Sequence, residues 1–304
     1  MITIDNIWKK YGAVEALKGI SFEVQQGQLY GLIGPDGAGK TSLFRILTTL
    51  LNPTQGKAIM AGFDTTKDYK EIRKIVGYMP ERFSLYLDLT VEENLRFFAT
   101  VFNTSIEENY HIIKDIYQML EPFKHRRAGD LSGGMKQKLA LSCALIHKPQ
   151  ILLLDEPTTG VDPVSRRDFW DMLKKLQQAG LTTLVSTPFM DDAELCDEVA
   201  LIQDGEILKI DTPDSIAHTY PHKLWKIVSQ NNYRTIKVLD AFPEKISAFS
   251  FGNSVHLATN PNISKEVIQT HLKQKDVHLI SLEPIKANIE DVFMELINND
   301  KSAS

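Results

Sequence analysis

Cysteine is scarce in these 304 residues: only Cys143 and Cys196 occur, at no metal-binding spacing, so neither a disulfide framework nor a Cys-based zinc site is expected. Both should pack in helices as small apolar side chains. Long hydrophobic runs are also lacking, since no stretch approaches the roughly 18–20 apolar residues needed to cross a bilayer. The segment Met1-Ile2-Thr3-Ile4-Asp5-Asn6 has no basic start and no apolar core of a secretion signal. A cytoplasmic chain is the expectation, and any membrane attachment would come through another protein. Basic excess is missing as well: 34 Lys and Arg stand against 39 Asp and Glu, a net charge of −5, which gives no footprint for DNA or RNA. What remains, 43% hydrophobic and 24% charged, is an ordinary globular composition with length for one large and one small domain.

Against that background one segment stands out. Gly34-Pro35-Asp36-Gly37-Ala38-Gly39-Lys40-Thr41 fits the phosphate-loop spacing at every fixed position. Gly34, Gly37 and Gly39 let the backbone curl so that successive N–H groups face one concavity, and the following helix adds the positive end of its dipole. Lys40 would reach the β- and γ-phosphates, Thr41 would place its hydroxyl on Mg²⁺, and Ser42 lies beside them. The context agrees: Leu29-Tyr30-Gly31-Leu32-Ile33 reads as a buried strand before the loop, and Ser42-Leu43-Phe44-Arg45-Ile46-Leu47 as a helix after it. A second buried strand, Ile151-Leu152-Leu153-Leu154, ends in Asp155-Glu156, with Asp155 suited to hold the same ion.

Together with Leu131-Ser132-Gly133-Gly134-Met135 upstream of that strand, these motifs resemble the ATP-binding subunit of ABC transporters over about the first 215 residues. The resemblance implies ATP and Mg²⁺ as ligands and an α/β fold: a P-loop NTPase core with an antiparallel β subdomain and a helical subdomain. By the same resemblance Glu156 polarises the attacking water, Tyr11 stacks on adenine, and Glu81 coordinates Mg²⁺ or its water. Ser132, Gly133 and Gly134 contact the γ-phosphate held by the opposite subunit of a dimer. Asp162, in Thr159-Gly160-Val161-Asp162-Pro163, belongs to the loop that crosses that interface.

One family feature is missing. The resemblance calls for Ser-Thr-His ahead of the helix at residues 190–197, and here Ser186-Thr187 is followed by Pro188. Loss of such a transition-state donor costs about 10²–10³ in rate, and proline offers no side-chain donor and no backbone N–H in exchange. Glu81 in place of the commoner glutamine and Asp36 in place of asparagine are smaller departures. All three fall in the site this chain's own phosphate loop would line, whereas the signature at residues 131–135, which serves the partner's site, is intact. The expected role is the degenerate half of an asymmetric ATPase pair, a heterodimer, with a homodimer left open. Two alternatives are an ATP-binding regulatory subunit without hydrolysis and a symmetric motor. A soluble relative acting in translation or DNA maintenance is disfavoured, because basic linkers and heptad coils are lacking.

The fuller pattern, with Gly34-Pro35-Asp36-Gly37, Phe83-Ser84-Leu85-Tyr86 and a switch without histidine, is similar to the N-terminal half of bacterial exporter ATPases of the ABC-2 type with two fused ATP-binding domains. That implies ABC-2-type permease subunits and a second ABC ATPase as partners, at the cytoplasmic face of the membrane. The domain boundaries expected are 1–220 for the ATP-binding domain, its helical subdomain at about 82–140, and 221–304 for a small α+β domain. In the latter, Leu224-Trp225-Lys226-Ile227-Val228, Thr235-Ile236-Lys237-Val238-Leu239, Val255-His256-Leu257-Ala258 and His278-Leu279-Ile280-Ser281-Leu282 read as strands, with helices over 264–273 and 289–297. Its scattered histidines suggest no catalysis.

Overall fold

The computed structural model describes residues 1–82 and 84–303, with side chains through 298; Phe83 lies outside the described residues. The chain divides into two compact units, Met1–Pro213 and Asp214–Ser304.

In the first unit, β1 (Ile2–Tyr11) and β2 (Val14–Val24) pair antiparallel from Ile2↔Val24 to Tyr11↔Val14. The strand β3 (Leu29–Ile33), buried at every position, runs into α1 (Lys40–Leu47). Next come β4 (Gln55–Met60), β5 (Phe63–Asp64), α2 (Tyr69–Ile75) and β6 (Val76–Met79). A helical stretch follows: α3 (Val91–Val101), α4 (Ile106–Tyr117) and α5 (Gly133–Leu145). The chain then returns through β7 (Ile151–Asp155), α6 (Pro163–Gln178), β8 (Thr182–Thr187), a 3₁₀ turn (Met190–Leu195), β9 (Glu198–Gln203) and β10 (Glu206–Asp211), and leaves the unit at α7 (Pro213–His218).

Two sheets result. One has the antiparallel order β2-β1-β4-β5, the other the order β10-β9-β3-β8-β7-β6, parallel except for β10. Strands buried on both faces read as continuous apolar runs, and Ile151-Leu152-Leu153-Leu154 is one. Between the sheets and around α1 lies a core of Ile4, Leu17, Phe22, Tyr30, Phe44 and Leu153 among others; each such buried side chain contributes about 1.5–3 kcal/mol. In the parallel sheet β8 lies between β3 and β7, so the carboxyl ends of these three strands open side by side, which is where ligands bind in open α/β sheets.

The helical stretch starts with α3, fixed by a full capping box: the Thr90 hydroxyl accepts from the Glu93 N–H, and the Glu93 carboxylate accepts from the Thr90 N–H. Leu95 and Ala99 of α3 and Ile113 and Ile116 of α4 are buried, as their helical spacing predicts. Phe98 and Phe102 instead line a groove of about 450 Å³ with Met79, Leu85, Cys143 and His147. His147 stacks on Phe102 with ring centroids 3.8 Å apart, and its Nε2 meets the Val76 carbonyl at 3.2 Å. Burial lowers its pKa to about 4.

The second unit runs β11 (Lys223–Ser229), α8 (Asn232–Asp240), β12 (Lys245–Phe251), β13 (Ser254–Thr259), α9 (Lys265–Gln274), β14 (Leu279–Ile285) and α10 (Ile289–Ala303). The antiparallel sheet order is β12-β13-β11-β14, a βαββαβ plan of the ferredoxin-like kind. Residues 235–239, expected as a strand, are helical. Asn231 caps the helix by accepting from the Arg234 N–H at 2.9 Å, and Thr235 and Leu239, four apart, are the buried pair. The strand missed, β12, is an edge strand whose Ser247, Ala248 and Ser250 lack the usual alternation. Cys143 does sit in a helix, but Cys196 lies just past the 3₁₀ turn. Buried His256 of β13 stacks on Phe251 at 4.1 Å and meets Asp291 of α10 at 2.8 Å, with His222 and Glu295 3.1 Å apart one turn further along α10.

Asp291→Ala should therefore cost about 1–3 kcal/mol of stability, because it leaves a buried imidazole nitrogen without its partner. Urea unfolding of the full chain with Trp8 and Trp170 replaced by Phe, followed by the fluorescence of the remaining Trp225, checks this, and an unchanged midpoint would contradict it.

Candidate functional site

The site begins where β3 ends. The Gly34 N–H donates to the Thr187 carbonyl at 3.2 Å, so the loop is tied to β8 at its first residue. No side chain fits there, since a Cβ on Gly34 would lie 2.1 Å from the Ile202 carbonyl oxygen. Gly39, at φ 105°, is equally constrained, with its would-be Cβ 2.4 Å from the Ala16 carbonyl oxygen. As the residue before α1, Gly39 supplies no side-chain cap, so the first N–H groups of the helix suit an anionic ligand.

Lys40 is 2% exposed. Its ammonium donates to the carbonyls of Gly34 (2.8 Å) and Pro35 (2.9 Å) and pairs with Glu156 Oε1 at 3.0 Å. Desolvating two ions costs several kcal/mol each, and mutual attraction offsets this only with such extra hydrogen bonds. Glu156 also accepts from the Thr159 hydroxyl at 3.2 Å and holds a left-handed backbone at φ 50°. A non-glycine residue in that region costs about 1–3 kcal/mol, and such strain gathers at functional sites.

Asp155 is fully buried. Its Oδ1 accepts from the Ser186 hydroxyl at 2.6 Å, while Oδ2 has no hydrogen bond among the described residues. Burial raises its pKa above the ordinary carboxylate value; the Ser186 and Thr41 hydroxyls pull it back, and the neighbouring Glu156 and Glu81 push it further up. Asp155, Thr41 and Glu81 line one cavity of about 480 Å³. An adjoining cavity of about 340 Å³ is lined by Asp36, Gly37, Lys40, Ser42 and Glu156, again with Thr41 and Glu81. Among the described residues no three His, Cys, Asp or Glu side chains form a metal cage. A hydroxyl with one or two carboxylates instead suits Mg²⁺, which keeps water and phosphate ligands.

The remaining residues singled out from sequence distribute as follows. Pro35 is half-buried, Ala38 is buried, and Asp36 is exposed at the loop tip. Tyr11 is 43% exposed, its hydroxyl 3.4 Å from Ser42 Oγ and its ring 5.2 Å from the Lys9 ammonium. Ser132 caps α5 by accepting from the Met135 N–H, Gly133 is exposed, and Gly134 packs on α6, where a Cβ would come 2.5 Å from Ser165 Oγ. None of these three lines the cavities around Lys40. Asp162 caps α6 by accepting from the N–H groups of Val164 and Ser165, which hold its pKa low.

No histidine lines either cavity. The Thr187-Pro188-Phe189 turn is instead braced by Thr187, Arg166 and Asp192. The Thr187 hydroxyl donates to Asp192 at 2.7 Å and accepts from the Phe189 N–H at 3.1 Å; Arg166 pairs with Asp192 at 2.7 Å and lies 4.1 Å over the Phe189 ring. In the sequence Ser186 stands out only as the first residue of the Ser186-Thr187-Pro188 run. Its proximity to Asp155 follows from the register Asp155↔Ser186 of two strands about thirty residues apart, for which local pattern carries no signal.

The comparisons with known proteins agree with this architecture. The family model described as ABC transporter matches residues 17–159. Over 98% of this chain and 97% of its own length, the Nod factor export ATP-binding protein I of Burkholderia lata is 34% identical. The chain belongs to the ABC transporter ATP-binding family. A second relative of this ABC protein, the probable multidrug ABC transporter ATP-binding protein YbhF of Escherichia coli, is 36% identical over 98% of this chain, which spans only 52% of YbhF. Among solved structures, the dimeric ATP-binding cassette MJ0796 in a post-hydrolysis state bound to ADP and Pi has a TM-score of 0.63 at 28% identity, covering 70% of this chain and 98% of its own. An ATP-binding subunit of an ABC transporter has a TM-score of 0.66 at 26% identity, over 72% and 93%.

The raised pKa of Asp155 carries a stability consequence. The folded chain holds that proton over a pH range in which the unfolded chain has released it, so this group's contribution is lost as pH rises through that range. Asp155→Asn keeps an acceptor for Ser186 and removes the buried charge, so at neutral pH it should raise the melting temperature of the nucleotide-free protein by a few degrees. Calorimetry at pH 7 checks this; a lower melting temperature would show that the carboxylate stabilises the fold.

Proposed function

We propose that this chain is the ATP-binding, energy-coupling subunit of an ABC-2-type exporter and the impaired half of an asymmetric ATPase pair. The observation that carries the reading is the assembly of Lys40, Thr41, Asp155 and Glu156 at adjoining cavities; the impairment is inferred from the sequence, where Pro188 follows Thr187 at the position of the family's histidine donor. ATP is the ligand this site suits: phosphates on the loop N–H groups and Lys40, adenine on the exposed Tyr11 ring, the attacking water oriented by Glu156. Thr41 and Asp155, with Glu81, would hold Mg²⁺, which when bound neutralises phosphate charge. The unpartnered, buried Oδ2 of Asp155 supports that fit.

Two further observations support partners. Ser132, Gly133 and Gly134 stand apart from this chain's own cavities, as residues serving a second ATPase would. No described helix is long and apolar enough to cross a membrane; ABC-2-type permease subunits, met at the cytoplasmic face, are the proposed membrane partners. The groove of Met79, Leu85, Phe98 and Phe102 suits the apolar face of a permease helix. Export itself rests on the names of the relatives, and the pairing with a second ATPase on the sequence resemblance to one half of exporters with two fused ATP-binding domains. Residues 1–220 would form the ATP-binding domain and 221–304 an accessory domain with a regulatory or dimer-supporting role. A symmetric homodimer is the second reading, favoured by the intact Glu156 at 3.0 Å from Lys40.

Lys40→Ala should abolish MgATP binding by the isolated protein, since it removes the point charge on the phosphates; equilibrium binding of a fluorescent ATP analogue checks this, and unchanged affinity would move the nucleotide elsewhere. In the complex assembled with permease and partner ATPase, Ser132→Ala or Gly134→Ala should depress steady-state hydrolysis strongly, by about 10²-fold, and Glu156→Gln much less. Equal, near-total loss from Glu156→Gln would return the chain to the symmetric class.

A further inference from the structure

A strand buried between two others is expected to be apolar, yet β8 carries Ser186 at 0% exposure, in register with Asp155 of β7 on one side and Leu32 of β3 on the other. A buried hydroxyl must find partners, and Ser186 uses both of its capacities. It donates to Asp155 Oδ1 at 2.6 Å and accepts from the Glu156 N–H at 3.0 Å, while its own carbonyl accepts from the same N–H at 3.1 Å. Two adjacent carboxylates are thereby given different directions. Occupying Oδ1 fixes the Asp155 carboxylate and leaves Oδ2 as its free donor atom. Capturing the Glu156 N–H holds that residue at φ 50°, and its side chain reaches Lys40 and Thr159.

We infer that Ser186 is a positioning residue whose hydroxyl orients Asp155 toward the nucleotide-bound divalent cation and sets Glu156 apart from it. The inference rests on the reading of this site as one for MgATP. The physical logic is that of outer-shell partners, which fix a ligating side chain and whose loss costs about 10–100-fold in metal affinity. A hydroxyl that merely filled space would leave the metal response unchanged when replaced by a group of similar size.

The test is equilibrium binding of the fluorescent analogue mant-ATP to the full chain, in excess EDTA and across a Mg²⁺ titration, for wild type, Ser186→Ala, Ser186→Cys and Ser186→Thr, each checked for an unaltered melting transition. In EDTA, Ser186→Ala and Ser186→Cys should bind within about twofold of wild type, whereas the Mg²⁺ concentration for half-maximal enhancement should rise about 10–100-fold. Ser186→Thr, which keeps the hydroxyl, should stay near wild type. A wild-type Mg²⁺ response in folded Ser186→Ala and Ser186→Cys, or equal weakening with and without Mg²⁺, would overturn the inference while leaving the nucleotide site standing. Wild-type binding that survives Lys40→Ala would instead remove the site reading, and this inference with it.

Discussion

Everything at this site depends on keeping ionised groups inside a sheet that is otherwise apolar. The carboxyl ends of β3, β8 and β7 lie side by side because their runs are buried along their whole length, and Lys40, Asp155 and Glu156 are delivered to those ends. Charges so placed survive only when every one has a partner. The Lys40–Glu156 pair, the two carbonyls on Lys40 and the Ser186 hydroxyl on Asp155 are those partners. The glycines at 34 and 39 belong to the same constraint, since the loop must pass within contact of the Ile202 and Ala16 carbonyls to bring Lys40 home.

The exception in this network is Asp155 Oδ2, buried without a hydrogen bond among the described residues. A buried carboxylate oxygen without a partner calls for a physical reason, and a cation bound at this cavity would supply one. Its neighbours, a threonine hydroxyl and an exposed glutamate, are too few to hold a cation alone. On the proposed reading as an MgATP site, that insufficiency would leave the nucleotide's phosphates and water to complete the cation's ligands.

Much of this was legible in the sequence because the chemistry is local. A loop that must curl around phosphate needs its glycines and lysine at fixed spacing, and a strand that must be buried reads as Ile-Leu-Leu-Leu. Pairings across the sheet were not legible: Ser186 meets Asp155 only through parallel register, and Arg166 meets Asp192 only because α6 and the 3₁₀ turn converge. Residues 235–239 misled for the opposite reason. Thr-Ile-Lys-Val-Leu has strand propensity, and one asparagine cap with a buried pair four residues apart outweighed it. The edge strand β12 went unread because small and polar residues blur its alternation.

The stacked Phe102–His147 pair has a consequence for the environment in which the protein works. Burial pushes the His147 pKa down to about 4, which keeps the imidazole uncharged near neutral pH. The groove proposed to take a permease helix therefore gains no positive charge from His147 on mild acidification. Cytoplasmic loops of membrane proteins are themselves rich in lysine and arginine, and a protonating histidine at this spot would repel them when the cytoplasm turned acid. Between pH 5 and pH 8 the charge of the groove lining is therefore that of Arg73, to which His147 adds nothing.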